Sequence, residues 1–400
     1  MGNKRYFVMI FNCIMIIAAI TSATMFGIFG YGRPKGPQHF SLYDFNVFYL
    51  AGKTWLNGLN AYDATTACKQ VIGLWDPKSY NFAYPPHSAL LFMLLSAPNF
   101  ENSKLLLIIL NIFCMIGFVY ICLNIYKLSS ERKQFFLLDF KSSLLISIIV
   151  GNSFIANILW VGQTSIILST ALLASYYFYI RSREIRSGIL LAFALMKPQL
   201  AFTFLLWLLL EKKWKTLTAS IISVVILSIV PIYNRGIITS IHDWMLAMNN
   251  YLRTGNSEGA WNLFGIQSTL YDLGFQVSSP IIFICSILLV LIIHQFVMKI
   301  NIFNLLGILA IIGFLFGQAA HQYDIIIIIA SILPYYLRKI SKKDFINYFF
   351  FFLTIVAINF PRKLLFLSDN RILHHHREII LIIVLLFQIV RREERQSVPI

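Results

Sequence analysis

The sequence predicts an all-α membrane protein, a polytopic bundle of about 11 transmembrane helices. Three observations support this fold class. Hydrophobic residues make up 58% of the 400 residues, and the mean hydropathy is +0.72. Charged residues make up only 12%, whereas soluble domains carry about 25%. Apolar segments of about 20 residues, the length that crosses a roughly 30 Å hydrocarbon core, recur along the chain.

The apolar segments predict where each helix lies. Spans are expected at 6–29, 104–126, 142–160, 164–180, 216–233, 280–298, 302–319, 322–337, 345–361 and 377–390. Residues 86–98 are too few to cross comfortably, which favours a short or re-entrant helix. Residues 187–210 carry Lys197-Pro198 in their middle. Because proline breaks helices and lysine is costly in lipid, this stretch predicts two half-length helices that meet at a polar turn.

Charge gives the orientation of the chain. The net charge of +16 comes from short basic clusters between apolar runs, which indicates membrane topology and not nucleic-acid binding. Loops rich in Lys and Arg, which face the cytoplasm, are 127–141, 181–186, 211–215, 338–343 and 391–395. The polar features on the opposite side are then the loop 30–85, the Gly162-Gln163 turn, the Lys197 turn, the loop 234–279 and His321. The whole chain, 1–400, is predicted to form a single integral membrane domain.

Two charged residues next to apolar segments point to chemistry. Asp44 is followed by Phe45, Phe48 and Tyr49, aromatic residues suited to stacking on sugar rings. At the membrane edge it is either a general base with a raised pKa or the N-cap of a helix that starts at Phe45. Lys197 either meets an anion such as phosphate or anchors the chain by snorkelling to the interface.

Several motifs, in this order, resemble glycosyltransferase family 87, the polyprenyl-phosphate-sugar-dependent mannosyl and arabinofuranosyl transferases. They are 44–49 (DFNVFY), 57–63 (NGLNAYD), Tyr84-Pro85-Pro86, Gly162-Gln163 and 188–199, which ends in Lys197-Pro198-Gln199. After residue 280 the similarity rests on 321–324 (HQYD). The resemblance implies a C-type glycosyltransferase fold with interfacial helices in the first extracytoplasmic loop, in a bacterial cytoplasmic membrane.

The resemblance also implies a mechanism, an inverting displacement with Asp44 as base and with Lys197 and His321 holding the phosphate of a polyprenyl-phosphate sugar. The acceptor is a glycolipid or glycan, and the sugar is mannose or another hexose. The remaining expected substrate-binding residues are Asp324, which would orient His321, and Gln163, Tyr84, His87 and Arg253. Each has a structural alternative: His321 as a helix-start residue, Gln163 as a turn residue, Tyr84 as architecture, His87 as an interface histidine, and Arg253 as part of a solvated loop.

No cofactor or metal is expected. A Gly-rich phosphate loop is missing from the sequence, and a phosphate-linked lipid donor does not require the Mg²⁺ clamp of nucleotide-sugar enzymes. The run His374-His375-His376 cannot direct all three rings at one ion from a helix, so an interfacial basic patch together with Arg371 and Arg377 is the better interpretation. The competing class is a transporter or flippase for a lipid-linked or anionic solute, because half-helices that meet at a polar turn also build transport sites. A catalytically inactive scaffold is a third option.

Overall fold

The computed structural model describes residues 2–29, 42–130, 139–257, 263–296, 301–317, 320–339, 345–359 and 374–390. The predicted all-α class is confirmed. The helices of the first half are α1 (Gly2–Phe29), α2 (Tyr43–Leu56), α3 (Ala64–Cys68), α4 (Ala89–Ser96), α5 (Phe100–Ser130), α6 (Phe140–Val150), α7 (Ser153–Val161), α8 (Ser165–Ile180) and α9 (Glu184–Ala194). Those of the second half are α10 (Pro198–Leu210), α11 (Trp214–Leu227), α12 (Ile229–Arg235), α13 (Ile237–Ser257), α14 (Ile266–Asp272), α15 (Ser279–Phe296), α16 (Ile302–Phe316), α17 (Ile326–Lys339), α18 (Phe345–Asn359) and α19 (His376–Val390).

Three helical stretches within the described residues are long and apolar enough to cross a membrane: Val8–Met25, Phe100–Ser129 and Phe140–Val161. The bent pair α11 and α12, whose axes differ by 56°, makes a fourth if it counts as one span. Other apolar helices of the described chain, such as α8, α10 and α16, are 10–17 residues long. The structure therefore confirms apolar membrane-compatible helices, while the number of about 11 spans stays a prediction.

Breaks in the helices occur where the sequence carries helix-ending residues. The predicted break within 187–210 is confirmed, because α9 ends at Ala194 and α10 begins at Pro198 with Lys197 as its N-cap. The span expected at 142–160 lies within Phe140–Val161, one of the stretches long and apolar enough to cross a membrane. It is built from two helices, α6 and α7, because Asn152 starts the second one by accepting a hydrogen bond from the N–H of Phe154 at 2.8 Å, and asparagine is a favoured N-cap.

The first loop packs around its own aromatic core. Phe45 and Tyr49, which were expected to stack on sugar rings, are instead buried in this core, and the Phe45 and Phe100 rings stack at 6.2 Å. Helices α2 and α4 touch at Gly52, where an added Cβ would lie 2.2 Å from the carbonyl oxygen of Phe92. The loop is thus a fixed platform that determines which residues of α2 face outward.

A short antiparallel strand pair joins the second loop to a late segment. Strand β1 (Leu263–Phe264) pairs with β2 (Ala320–His321), with Leu263 opposite His321. A 3-10 turn, Gln322–Ile325, follows β2 directly and leads into α17. This pairing fixes the backbone of His321 at the edge of the cavity described below.

Candidate active site

A cavity of about 560 Å³ lies between the first loop and the ends of several helices. Five of the eight residues predicted to form the site line it: Asp44, Tyr84, Gln163, Lys197 and His321. They come from segments far apart in the chain. Asp324 and His87 are not among the lining residues, and the side chain of Arg253 lies outside the described residues.

Asp44 occupies the first turn of α2 and is not its N-cap. The helix begins at Tyr43 with Leu42 as N-cap and without a side-chain capping bond, so the N-cap interpretation is wrong. The Asp44 carboxylate instead faces the cavity, where its Oδ2 accepts a hydrogen bond from Nε2 of Gln163 at 2.5 Å. Burial raises the pKa of Asp44, and the hydrogen bond from Gln163 and the charge of Lys197 partly oppose that rise.

A tight glycine turn brings Gln163 to Asp44. Gly162 ends α7 in the left-handed conformation with φ 74°, which costs glycine little and other residues more. An added Cβ there would lie 3.0 Å from Cβ of Phe45. The N–H of Leu42 also donates to the carbonyl oxygen of Trp160 at 3.0 Å. The start of α2 therefore sits directly on the end of α7.

Lys197 is held in a buried ion pair. Its Nζ lies 3.0 Å from Oδ1 of Asp324 and donates to Oγ of Ser165 at 2.7 Å. Lys197 is 4% exposed and Asp324 is fully buried, so Lys197 does not snorkel to an interface. A buried charge needs such a partner. The sequence analysis did not identify Ser165, because no local pattern links it to Lys197, 32 positions away, or to Asp324, 159 positions away.

Asp324 also positions His321, as its three-residue spacing suggested, but through the backbone. Oδ2 of Asp324 accepts from the N–H of His321 at 3.2 Å, and the His321 ring accepts from the N–H of Asp324. Nε2 of His321 lies 2.6 Å from Oη of Tyr251, so Nδ1 is the capping acceptor. A ring that accepts at Nδ1 carries its proton on Nε2 when it is neutral. The geometry therefore favours a neutral His321 that donates from Nε2.

Tyr251 is a cavity residue that the sequence analysis did not identify. It lies on α13, in the predicted loop 234–279, and it lines the cavity together with Met248. Burial raises the pKa of Tyr251 above its ordinary value, so the hydroxyl stays protonated at neutral pH. The available signal was the strong amphipathic pattern of 237–252, which places residues 244, 248 and 251 on one face.

Tyr84 and His87 differ in position although they are close in sequence. The hydroxyl of Tyr84 lies 2.9 Å from Oγ1 of Thr164 and faces the cavity. Its backbone carbonyl accepts from the hydroxyl of Tyr62 at 2.9 Å, which fixes the loop. His87 is buried outside the cavity lining, because it starts the short helical segment that packs inward after Pro86. The expectation that His87 binds substrate in this cavity is not supported by its position.

The histidine run near the C-terminus serves as a packing contact. His375 is fully buried, and its Nε2 lies 2.8 Å from Oδ2 of Asp272 on α14. Arg377 is also buried, with its guanidinium carbon 4.8 Å from the ring centroid of Phe154. The predicted interfacial basic patch is therefore wrong for these two residues. Within the described part of the chain, no group of three or more His, Cys, Asp or Glu side chains has the arrangement of a metal site.

One comparison with known proteins gives a match. The model of glycosyltransferase family 87 matches residues 82–316, more than half of the chain. This range includes Tyr84, Gln163 and Lys197, while Asp44 precedes it and His321 follows it. A search of curated proteins gave no significant match.

Proposed function

The chain belongs to glycosyltransferase family 87, and from this premise we propose that it moves a hexosyl group, mannose or another hexose, from a polyprenyl monophosphate to a glycolipid or glycan acceptor. Transfer would occur on the extracytoplasmic side of a bacterial cytoplasmic membrane. The observation that carries the proposal is the shared cavity, which Asp44, Lys197 and His321 line from three different segments of the chain.

Asp44 is the proposed general base. Its Oδ2 is held by Gln163, while within the described residues its second oxygen has no hydrogen-bond partner and can take the proton of the acceptor hydroxyl. A carboxyl group whose pKa is raised toward neutral is a stronger base than an ordinary aspartate and remains ionised at its working pH. The Gln163 bond also fixes the direction of the carboxylate.

The bonds and the proton of the proposed displacement are all accounted for by the donor, the acceptor and Asp44. The acceptor oxygen forms a bond to the anomeric carbon as the bond from that carbon to the phosphate oxygen breaks, with inversion at carbon. The proton of the acceptor passes to Asp44, and the polyprenyl phosphate leaves with the electron pair. Groups that stabilise the charge growing on phosphate lower the barrier.

Hydrogen-bond donors around the phosphate are the proposed source of that stabilisation. Among the described residues that line the cavity, Lys197 is the only Lys or Arg, and its charge is already matched by Asp324. The Nε2–H of His321 and the hydroxyl of Tyr251 lie together at the same wall. A donor with one negative charge therefore fits this wall through hydrogen bonds from neutral groups next to a compensated ion pair.

The two remaining walls of the cavity suit different substrates. Tyr43 and Trp75, whose ring centroids are 4.3 Å apart, lie on the first-loop side together with Asn81. Aromatic rings next to amide groups suit a sugar acceptor. Met196 and Met248 line the cavity on the helix side and offer adaptable apolar contacts to a polyprenyl chain.

The test is transfer of radiolabelled sugar from polyprenyl phosphates to membrane lipid extract by purified protein. We expect Asp44→Asn to lower transfer by about 10²- to 10⁴-fold, the usual contribution of a general base. The matched control is Asp63→Asn, because Asp63 is an exposed carboxylate of the same loop that caps α3, and neither Asp63 nor α3 lines the cavity. Equal transfer by Asp44→Asn and the control would contradict the base assignment, and no transfer from any lipid-phosphate donor would contradict the donor class.

A further inference from the structure

Helix α13 has one face against the cavity and the first loop. Nε1 of Trp244 donates to the carbonyl oxygen of Ala83 at 2.9 Å, and Asp243 accepts from Nδ2 of Asn60 at 3.1 Å. Met248 and Tyr251 continue this inner face into the cavity lining. The helix is thus fixed to the protein along one side only.

A second face of α13 is apolar and exposed. Ile238 is 81% exposed, Ile241 is 44% exposed and Met245 is 61% exposed. They are three and four residues apart, so they form one stripe along the helix. The polar residues Thr239 and Asn250 are exposed as well, and at about 100° per residue they lie on the far side of the helix from the stripe. The helix therefore has a protein face, an apolar face and a polar face.

The helix that carries the stripe packs against a helix pair that is also apolar and exposed. Ile222 and Ile226 on α11 are exposed, as is Ile229 on α12, and α11 with α12 is apolar enough to cross a membrane if the bent pair counts as one span. Tyr233 on α12 is 88% exposed, and tyrosine is enriched where a membrane meets water. Helices α12 and α13 are in contact, so the stripe of α13 lies on the next helix along the chain from this exposed apolar pair.

We infer that α13 is an interfacial helix that docks on the surface of the bilayer through Ile238, Ile241 and Met245, with its polar sector toward water. The partner is the lipid surface, because α13 packs against a helix pair that is itself apolar and exposed, and because a helix with separate apolar and polar sectors lies in the interface plane. Docking holds the inner face in place over the cavity, with Tyr251 next to His321. This inference does not depend on which group the enzyme transfers.

The test measures the surroundings of a fluorescent label on each sector. Met245→Cys places a nitrobenzoxadiazole label on the stripe, and Thr239→Cys is the matched control on the polar sector. The five native cysteines are all buried or half-buried, and the labelling of the natural chain gives the blank. In phosphatidylcholine nanodiscs we expect nitroxide lipids to quench the label at 245 several-fold more than the label at 239, and aqueous iodide to show the opposite order.

Two further variants connect the quenching to the stripe. With the label kept at 245, Ile238→Glu is expected to reduce quenching by nitroxide lipids at least 2-fold, whereas Asn250→Glu leaves it unchanged. If Met245→Cys does not fold, Ile241→Cys supplies the label on the same stripe. Equal accessibility of positions 245 and 239 to iodide, or a label on the stripe that nitroxide lipids do not quench, would overturn the inference.

Discussion

Replacing Gln163 by methionine tests whether the hydrogen bond from Gln163 lowers the pKa of Asp44. The substitution keeps the length of the side chain and removes the amide that donates to Oδ2 of Asp44 at 2.5 Å. A hydrogen bond to a charged group is worth about 1.5–3 kcal/mol, and one pKa unit corresponds to about 1.36 kcal/mol. Since the lost bond stabilises the carboxylate and not the acid, the pKa of Asp44 is expected to rise by about 1–2 units.

The assay is the pH dependence of kcat/KM for sugar transfer. Burial already raises the pKa of Asp44, so the acid limb of the natural enzyme should lie above the range of an ordinary aspartate. In Gln163→Met we expect this limb to move to higher pH by about 1–2 units. The plateau at high pH should be largely kept, because the carboxylate is still present there.

The control for this experiment is Tyr84→Phe, which removes a hydroxyl 3.5 Å from Oε1 of Gln163 without touching Asp44. Its acid limb should move less than that of Gln163→Met. An unchanged limb in Gln163→Met would refute the reasoning. A lower plateau without a shift would instead assign Gln163 to substrate binding, the role expected for it from the sequence.

Three other substitutions probe the surroundings of the base. Gly162→Ala places a Cβ 2.9 Å from Leu42 in a left-handed conformation, and we expect it to lower the free energy of unfolding by about 1–3 kcal/mol; an unchanged thermal unfolding midpoint in detergent would contradict this. Asp324→Asn leaves the Lys197 charge buried without its partner, which should lower the free energy of unfolding by about 3–5 kcal/mol. The double variant with Lys197→Met should regain most of that free energy of unfolding, and no gain over the single variant would contradict a stabilising ion pair. Tyr251→Phe should lower kcat/KM for the donor about 5- to 10-fold, the effect of about one hydrogen bond. An unchanged kcat/KM would contradict a hydrogen bond from Tyr251 to the phosphate.

Local sequence signals predicted the helix breaks at which residues of the candidate site lie. Lys197-Pro198 carries both a helix breaker and a charge, and the Gly162-Gln163 turn carries a glycine that ends a helix in the left-handed conformation. Each helix break can be predicted from a few neighbouring residues, because the proline or glycine at the break is itself its physical cause. The break at Asn152 had a local signal too, a capping asparagine, but hydropathy over the segment concealed it.

The sequence pattern could not predict contacts between residues that are far apart in the chain. Asp44 meets Gln163 across 119 residues, and only the packing of α2 on α7 decides that contact. The preference of aspartate for an N-cap is a local tendency of about 1 kcal/mol, and that packing overrides it by placing Leu42 at the cap. The three-residue spacing on a helix face supplied Asp324 as a partner for His321, whereas its bond to Lys197 had no such local signal.

The ion pair of Lys197 and Asp324 also has a consequence for biogenesis. The two residues are 127 positions apart, and ribosomes add about 5–20 residues per second. When a chain is inserted as it is synthesised, Lys197 therefore waits about 6–25 s for its carboxylate. Lysine at the centre of an inserting helix costs about 2.5–3.5 kcal/mol. The break at Pro198 lets the nascent hairpin keep this ammonium group near water until the later helices arrive, so the order of synthesis itself favours a half-length pair of helices over one continuous span.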